Sequence, residues 1–451
     1  MRLPRFMIAA QSSGSGKTLA TCGILQALVN RGMRVASFKC GPDYIDPMFH
    51  SRVIGTRSKN LDAYFVDGGT LRYLFGRTAE ECDISVAEGV MGFYDGISAA
   101  STEASSYDVS EKLSMPVILL VNCRGASISS LAVLKGFLDF RSSNIRGVIF
   151  NNMSESTYRQ IAPMAREMGV EPVGYIPKVT DLVLESRHLG LVLPSEIDEL
   201  KDKLNRLADL LEKTVDIDTI LKIADSAEPL EYSGPEISPI GGSVRVGLAQ
   251  DDAFCFTYED NIELLRRCGA EIVPFSPIHD DHLPDVDGIV LSGGYPELHS
   301  EALASNGSML GEIREHISGG MPCIAECGGF MYLHERMEGS DGKMHEMCGV
   351  IPGEVRNTGK LARFGYASFE PSDGGMMAGI GAIRGHEFHY WDSSNCGESW
   401  VATKNGGRQY RCMHDTGTLV AGYPHLYYYS NPESARAFLN RCLEYRKERG
   451  L

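Results

Sequence analysis

The stretch IAAQSSGSGKT, residues 8–18, decides the fold: an apolar run, a loop of small residues, then Gly16-Lys17-Thr18 opening an amphipathic run. A strand, a small-residue turn and a helix in that order gather backbone N–H groups at a helix N-terminus, where they can hold a phosphate. Ser13, Gly14, Ser15 and Gly16 would line the loop, Lys17 would bridge a nucleotide's outer phosphates, and the Thr18 hydroxyl would hold Mg²⁺. The usual pattern has glycine at position 11, where this chain has Gln11, so the match is a variant. Such a turn also occurs where no nucleotide binds, but the GKT context weighs against that reading.

Outward from this loop, short apolar runs alternate with amphipathic stretches between residues 6 and 177: RFMIAA, RVASFKCG, DISVAEG, PVILLVN, GVIFNN and EPVGYIP. That alternation predicts an α/β fold, a parallel sheet with helices on both faces. A polar helical stretch, SEIDELKDKLNRLADLLEK, follows, and residues 226–243, rich in Pro, Gly, Ser and Glu, read as a linker. A second series, VRVGLAQ, AEIVPF, DGIVLSGG and PCIAECGG, predicts another α/β domain. The expected division is therefore 1–225, a linker at 226–243, and 244–451.

Bulk properties narrow the function classes. A chain of 451 residues with 43% hydrophobic and 23% charged content has material for two cores. The net charge of −16 and the lack of a basic patch argue against nucleic-acid or membrane-surface partners. Twelve scattered cysteines without a CxxC pair point to a reducing, cytoplasmic setting. The opening MRLPRFMIAA has too short an apolar run for a signal peptide or membrane span.

Divalent metal beside a nucleotide needs carboxylates, and two clusters supply them: GPDYIDP, with Asp43 and Asp46, and AEGVMGFYDG, with Glu88 and Asp95. Both follow predicted strands, whose C-terminal ends face the same crevice as the phosphate loop in an open parallel sheet. The plainer alternative is that these acids cap helices or sit in solvent. Lys39, ending RVASFK, can contact phosphate or snorkel.

The other candidate centre is IAECGGFMY, residues 324–332. A strand, a sharp turn and a helix would present Cys327 at a helix N-terminus, where the dipole lowers a thiol pKa and N–H groups can hold an oxyanion. Cys323, inside the apolar run, is the internal control: buried cysteines are usually inert. LSGGYPE, residues 291–297, offers glycines whose N–H groups can approach a tetrahedral oxygen, and His425 in AGYPHLYYYS is the candidate base.

The ordered set GSGKT, FKCGPDYIDPMFH, KNLDAYF, AEGVMGFYDG, ESRHLGL, LSGGYPEL, AECGGFMYL, RFGY and RGHEFHY resembles the cobyrinic acid a,c-diamide synthases nearly end to end. The resemblance implies a dethiobiotin synthetase-like domain for ATP, Mg²⁺ and the corrinoid, followed by a triad-type glutamine amidotransferase domain. It implies that Cys327 attacks the glutamine side-chain amide, with Gly293, Gly294 and Gly328 as the oxyanion pocket and His425 shuttling protons. Relatives of the triad type carry a carboxylate two residues after that histidine. This chain has Tyr427 there, leaving His386 and Glu387 as conceivable helpers. By the same resemblance Thr18, Asp43, Asp46 and Glu88 surround the metal, with Asp95 near the reacting carboxylate. Tyr44 and Ile45 match positions that face the substrate acetates, and Asn151 matches one that faces adenine. A carboxylate is a poor electrophile, so amide formation calls for an acyl phosphate made from ATP before ammonia attacks. The implied small-molecule partners are cobyrinate and L-glutamine, and a homodimer is an open expectation. Ni-sirohydrochlorin a,c-diamide synthase, cobyric acid synthase and a regulatory ATPase with an inactive amidotransferase domain are the competing readings.

Overall fold

A computed structural model describes residues 1–179 and 197–450, so the ESRHLGL motif, residues 185–191, lies outside the described residues. The chain forms two compact units, Met1–Pro235 and Glu236–Leu451. Their division falls inside the stretch expected as a linker. Residues before it stay with the first unit through specific contacts: Leu230 N donates to Met1 O at 2.9 Å, and Tyr232 packs on Tyr73 and donates to Glu80.

The first unit carries seven strands: β1 (Arg5–Ala10), β2 (Val35–Cys40), β3 (Arg57–Leu61), β4 (Ile84–Glu88), β5 (Val117–Asn122), β6 (Ile145–Asn151) and β7 (Glu171–Ile176). All pairings are parallel, in the order β3-β2-β4-β1-β5-β6-β7. β1, β2, β4 and β5 are almost wholly buried, which is why they read as continuous apolar runs rather than alternating ones. β3, RSKNL, has no such run and sits at the sheet edge, where only its last three residues are buried. Helix α1 (Lys17–Asn30) follows the loop, and its Cys22, Ile24, Leu25 and Leu28 share one core with Leu204, Leu207 and Leu211 of helix Ile197–Thr214.

The order β2-β4-β1 decides the first site. Ile8 pairs with Glu88 and Lys39 pairs with Glu88 across neighbouring strands. The strand ends carrying the phosphate loop, Glu88 and Lys39 are therefore adjacent.

The second unit begins with β8 (Val244–Ala249), β9 (Phe254–Phe256), β10 (Ala270–Phe275), β11 (Gly288–Leu291), β12 (Gly293–Gly294) and β13 (Cys323–Glu326). Eleven more strands follow: β14 (His334–Glu338), β15 (Met344–Glu346), β16 (Ile351–Asn357), β17 (Arg363–Pro371), β18 (Ile383–His389), β19 (Trp391–Ser393), β20 (Trp400–Lys404), β21 (Gln409–Cys412), β22 (His414–Asp415), β23 (Leu419–Gly422) and β24 (His425–Leu426). The central sheet runs β10-β8-β11-β13-β23-β22, parallel except for β22. Two further sheets, β15-β14-β16-β19 and β21-β20-β17-β18-β24, are mainly antiparallel. β24 joins the second of these to the site, because His425 pairs directly with His386.

Candidate active site

In the first unit the loop from Gln11 to Gly16 turns sharply into α1, with Gly16 at φ +94° as the residue before the helix. A side chain there would be strained by that φ and would meet Asn151 Nδ2. Asn151 Nδ2 donates to Ser15 O at 2.7 Å, so Asn151 braces the loop from β6. Lys17 Nζ donates to Met91 O and, at 3.3 Å, to Ser12 O, which holds its ammonium over the loop. Burial, followed by the neighbouring Lys39, lowers the Lys17 pKa against the opposing pull of Glu88 and Asp95.

The acids are held in different ways. Lys39 Nζ lies 2.5 Å from Asp46 Oδ2 and 2.8 Å from Glu88 Oε1, all three side chains being buried. Lys39 is thus the counter-ion of the cluster rather than a snorkelling lysine. Burial alone would lower its pKa, but Glu88 and Asp46 outweigh burial and raise it. Glu88 Oε1 also accepts from Thr18 Oγ1 at 2.8 Å. Burial raises the Glu88 carboxyl, Lys39 opposes and Asp46 adds to the rise. Asp43 turns Oδ1 toward the N–H groups of Ile45 and Asp46, at 2.8 and 3.1 Å, and its pKa is raised by burial and then by Asp46. Asp95 Oδ2 accepts from Gly92 N at 3.0 Å. Tyr44 is buried, and Ile45 packs partly against the core.

Among the described residues no group of three or more His, Cys, Asp or Glu is disposed to hold a metal by itself. Mg²⁺ ordinarily takes one or two carboxylates and completes its shell with phosphate and water. The Thr18 hydroxyl beside Glu88, whose buried Oε2 has no hydrogen-bond partner among the described residues, fits that requirement. Asp46 meets this pair through Lys39, whereas Asp43 spends an oxygen on backbone.

In the second unit Cys327 sits between β13 and helix Gly328–Tyr332 with φ +48° and ψ −103°. Backbone strain of this kind at a sharp strand-to-helix turn fits a nucleophile elbow, in which the turn projects the side chain. The turn is over-determined: Cys327 N donates to Gly422 O at 2.8 Å, and Gly329 N donates to Ser292 O at 3.0 Å. Gly328 lies against β12 and the turn after it, since a Cβ there would come within 2.9 Å of Pro296 Cδ and 3.1 Å of Gly294 N. The structure therefore gathers Gly293, Gly294, Gly328 and Cys327 in one place. Cys323 is wholly buried on β13.

One expectation is corrected here. The thiol pKa is raised rather than lowered: burial first, then Glu297, with smaller pushes from Glu326 and Glu387, outweigh the lowering by the Gly328 N–H at the start of the short helix. A buried thiol among carboxylates stays protonated and needs a base. His425, the candidate base, lies beside Gly293. A side chain on Gly293 would strike its ring, and the next residue, Leu426, donates its N–H to Glu326 Oε1 at 3.3 Å. Burial, helped by His389, lowers the His425 imidazole to about 3, so it is neutral.

The helpers divide. The His386 ring stacks on His425 with centroids 5.0 Å apart and planes 17° apart, and its Nδ1 lies 3.2 Å from the Tyr258 hydroxyl. Glu387 instead meets Tyr410 OH, Lys404 Nζ at 3.2 Å and Arg363 Nη1 at 3.7 Å. Tyr427, in the position of the missing carboxylate, donates to Asp260 Oδ2 at 2.7 Å. A stacked histidine therefore supports His425 on one face. Glu297 and Glu326 are buried acids near Cys327 that the sequence motifs LSGGYPE and AECGG contain but that were given no role above. Burial raises their carboxyls to about 7 and about 8.

Two family models match the chain. Residues 6–192 match the CobQ/CobB/MinD/ParA nucleotide binding domain, and residues 245–433 match the CobB/CobQ-like glutamine amidotransferase domain. The cobyrinate a,c-diamide synthase of Priestia megaterium is 37% identical across 99% of this chain and 98% of its own. That of Listeria innocua is 39% identical across 95% and 97%, and that of Salmonella typhimurium 37% across 96% and 97%. The chain belongs to the cobyrinate a,c-diamide synthase family. It is a glutamine-dependent amide ligase with a nucleotide-binding P-loop domain, which sets aside the reading of a regulatory ATPase with an inactive partner domain. Solved structures similar to parts of it include a glutamine amidotransferase (20% identity, TM-score 0.33, 44% of this chain and 98% of that one) and the MinD cell division protein of Aquifex aeolicus (15%, 0.30, 51% and 99%).

Proposed function

We propose that the chain converts the a and c acetate carboxylates of cobyrinate to amides, with ATP activating each carboxylate and glutamine supplying nitrogen. The observation that carries the glutamine half is the strained Cys327 turn, whose next residue, Gly328, packs on Gly294 while the neighbouring Gly293 packs on the His425 ring. His425 takes the thiol proton, and the sulfur attacks the carboxamide carbon of glutamine. The N–H groups of Gly294 and Gly328, close to one another, would hold the tetrahedral oxyanion. Collapse expels ammonia and leaves a glutamyl thioester, which water cleaves to glutamate. His386, stacked on His425, keeps the imidazole from rotating.

In the first unit the N–H groups around Ser13–Gly16 and the Lys17 ammonium hold the ATP phosphates. The γ-phosphoryl group passes to a substrate carboxylate oxygen, and ammonia displaces phosphate from the resulting acyl phosphate. Thr18 and Glu88 would hold Mg²⁺, whose role when bound is to neutralise phosphate charge. Lys39 supplies the counter-charge to Asp46 and Glu88 in a buried setting, and Asp95 orients the turn that carries Met91 over Lys17. Twelve free thiols support a reducing, cytoplasmic setting; among the described residues no helix is long and apolar enough to cross a membrane.

The test is direct. The purified chain is given ATP, Mg²⁺ and glutamine with either cobyrinate or Ni-sirohydrochlorin, and products are weighed by mass spectrometry. Two carboxyl-to-amide conversions on cobyrinate are expected; conversion of Ni-sirohydrochlorin alone would move the assignment to the other tetrapyrrole.

A further inference from the structure

We propose that the Glu297 carboxylate receives the α-ammonium group of the glutamine whose carboxamide Cys327 attacks, which restricts the second unit to α-amino acid amides. The inference rests on the reading of Cys327 as the glutaminase nucleophile. Glu297 lies three residues beyond Gly294, and the intervening Pro296 packs on Gly328, so the chain leaving β12 passes over the residue next to the nucleophile.

Glu297 is only 9% exposed, and among the described residues it makes no ion pair. Its neighbours Tyr295 and Ser340 are fixed through backbone, Tyr295 N to Ala253 O at 2.9 Å and Ser340 N to Glu297 O at 2.9 Å, so the carboxylate is held on a rigid turn. A buried acid with no counter-charge is costly, and a cationic ligand removes the cost. Glutamine carries one cation, its α-ammonium, at the far end of the side chain from the carboxamide. Glu297 is also the charged group that acts most strongly on the Cys327 thiol, and it acts to keep that thiol protonated. An ammonium seated on Glu297 cancels that influence, so the amino-acid head of the substrate favours ionisation of the nucleophile that attacks its other end.

The probe is glutamine against its desamino analogue, 4-carbamoylbutanoate, with ammonia release measured for the full-length parent and for Glu297→Gln. A hydrogen-bonded charge pair is worth about 10- to 100-fold in kcat/KM. The parent should prefer glutamine by at least that ratio, and Glu297→Gln should lose most of the preference through a raised KM for glutamine. A parent that hydrolyses both amides equally well overturns the proposal with no variant needed. A folded Glu297→Gln that keeps the parental ratio, or lowers kcat for both amides alike, also overturns it and leaves Glu297 a packing residue. If the parent releases no ammonia from glutamine at all, the nucleophile assignment itself has failed, an outcome separate from unchanged discrimination.

Discussion

Replacing Lys39 by methionine tests whether the acids of the first unit are assembled around a buried cation. Methionine keeps much of the lysine stem and removes the charge, leaving Asp46 and Glu88, which sat 2.5 and 2.8 Å from Nζ, without a counter-ion in a buried site. Removing one partner of such a pair costs about 3–5 kcal/mol, a large share of the roughly 5–15 kcal/mol that holds an ordinary domain folded. The loss should depend on pH. The Glu88 carboxyl is already raised by burial, with Lys39 the main influence lowering it, so deleting Lys39 raises it further. A carboxyl whose folded pKa exceeds its unfolded value binds more protons when folded, so its contribution to stability falls as pH rises. The deficit should therefore be larger near pH 8 than near pH 5. Adding Glu88→Gln to Lys39→Met should recover part of the loss, because one of the uncompensated charges is gone. Both tryptophans, Trp391 and Trp400, are in the second unit, so fluorescence during urea denaturation follows that unit while far-UV circular dichroism follows both. The circular dichroism transition should shift and the fluorescence transition stay. A loss under about 1 kcal/mol, or one that does not change with pH, refutes a buried, counter-ion-held cluster.

Two further outcomes are expected. Lys17→Ala should lose amidation with either glutamine or ammonium as nitrogen source, by roughly 3 kcal/mol or more in transition-state stabilisation; ADP release that continues at the parental rate would contradict the role of the ammonium over the loop. His425, lowered to about 3 from an ordinary 6.5, refuses in the folded state a proton that the unfolded chain accepts, so the second unit should lose stability as pH falls from about 6.5. His425→Gln should make that slope shallower in denaturation followed by tryptophan fluorescence, the remainder coming from His334, His386 and His389, which burial also lowers; an unchanged slope would show that the His425 imidazole is not buried and neutral.

Much of this was legible in the sequence because periodicity and turn chemistry are local. The buried parallel strands read as apolar runs, and GSGKT and AECGG each sit where a strand gives way to a helix. The strand β3 was not legible, because RSKNL has no apolar run and takes its place through pairing with β2 and through Asn60, which donates to the carbonyls of Gly41 and Asp43. Nor were the antiparallel sheets, whose mixed strands such as RFGYASFEP alternate imperfectly. Site residues on the motifs could be named, but not their partners. That Lys39 meets Glu88 follows from the pairing of β2 with β4, and that His386 faces His425 follows from β18 pairing with β24. The raised thiol pKa could not be read either, since it depends on which carboxylates the fold brings near Cys327.

The measurement that tests the division of labour most directly is amide formation by Cys327→Ala, with glutamine and separately with ammonium at alkaline pH, where free ammonia is present. Cys323→Ala, four residues away and wholly buried, serves as the control for packing loss. The expected result is that Cys327→Ala loses glutamine-supported synthesis and keeps ammonia-supported synthesis, while Cys323→Ala keeps both. A folded Cys327→Ala protein that still uses glutamine at the parental rate would contradict the assignment of the nucleophile.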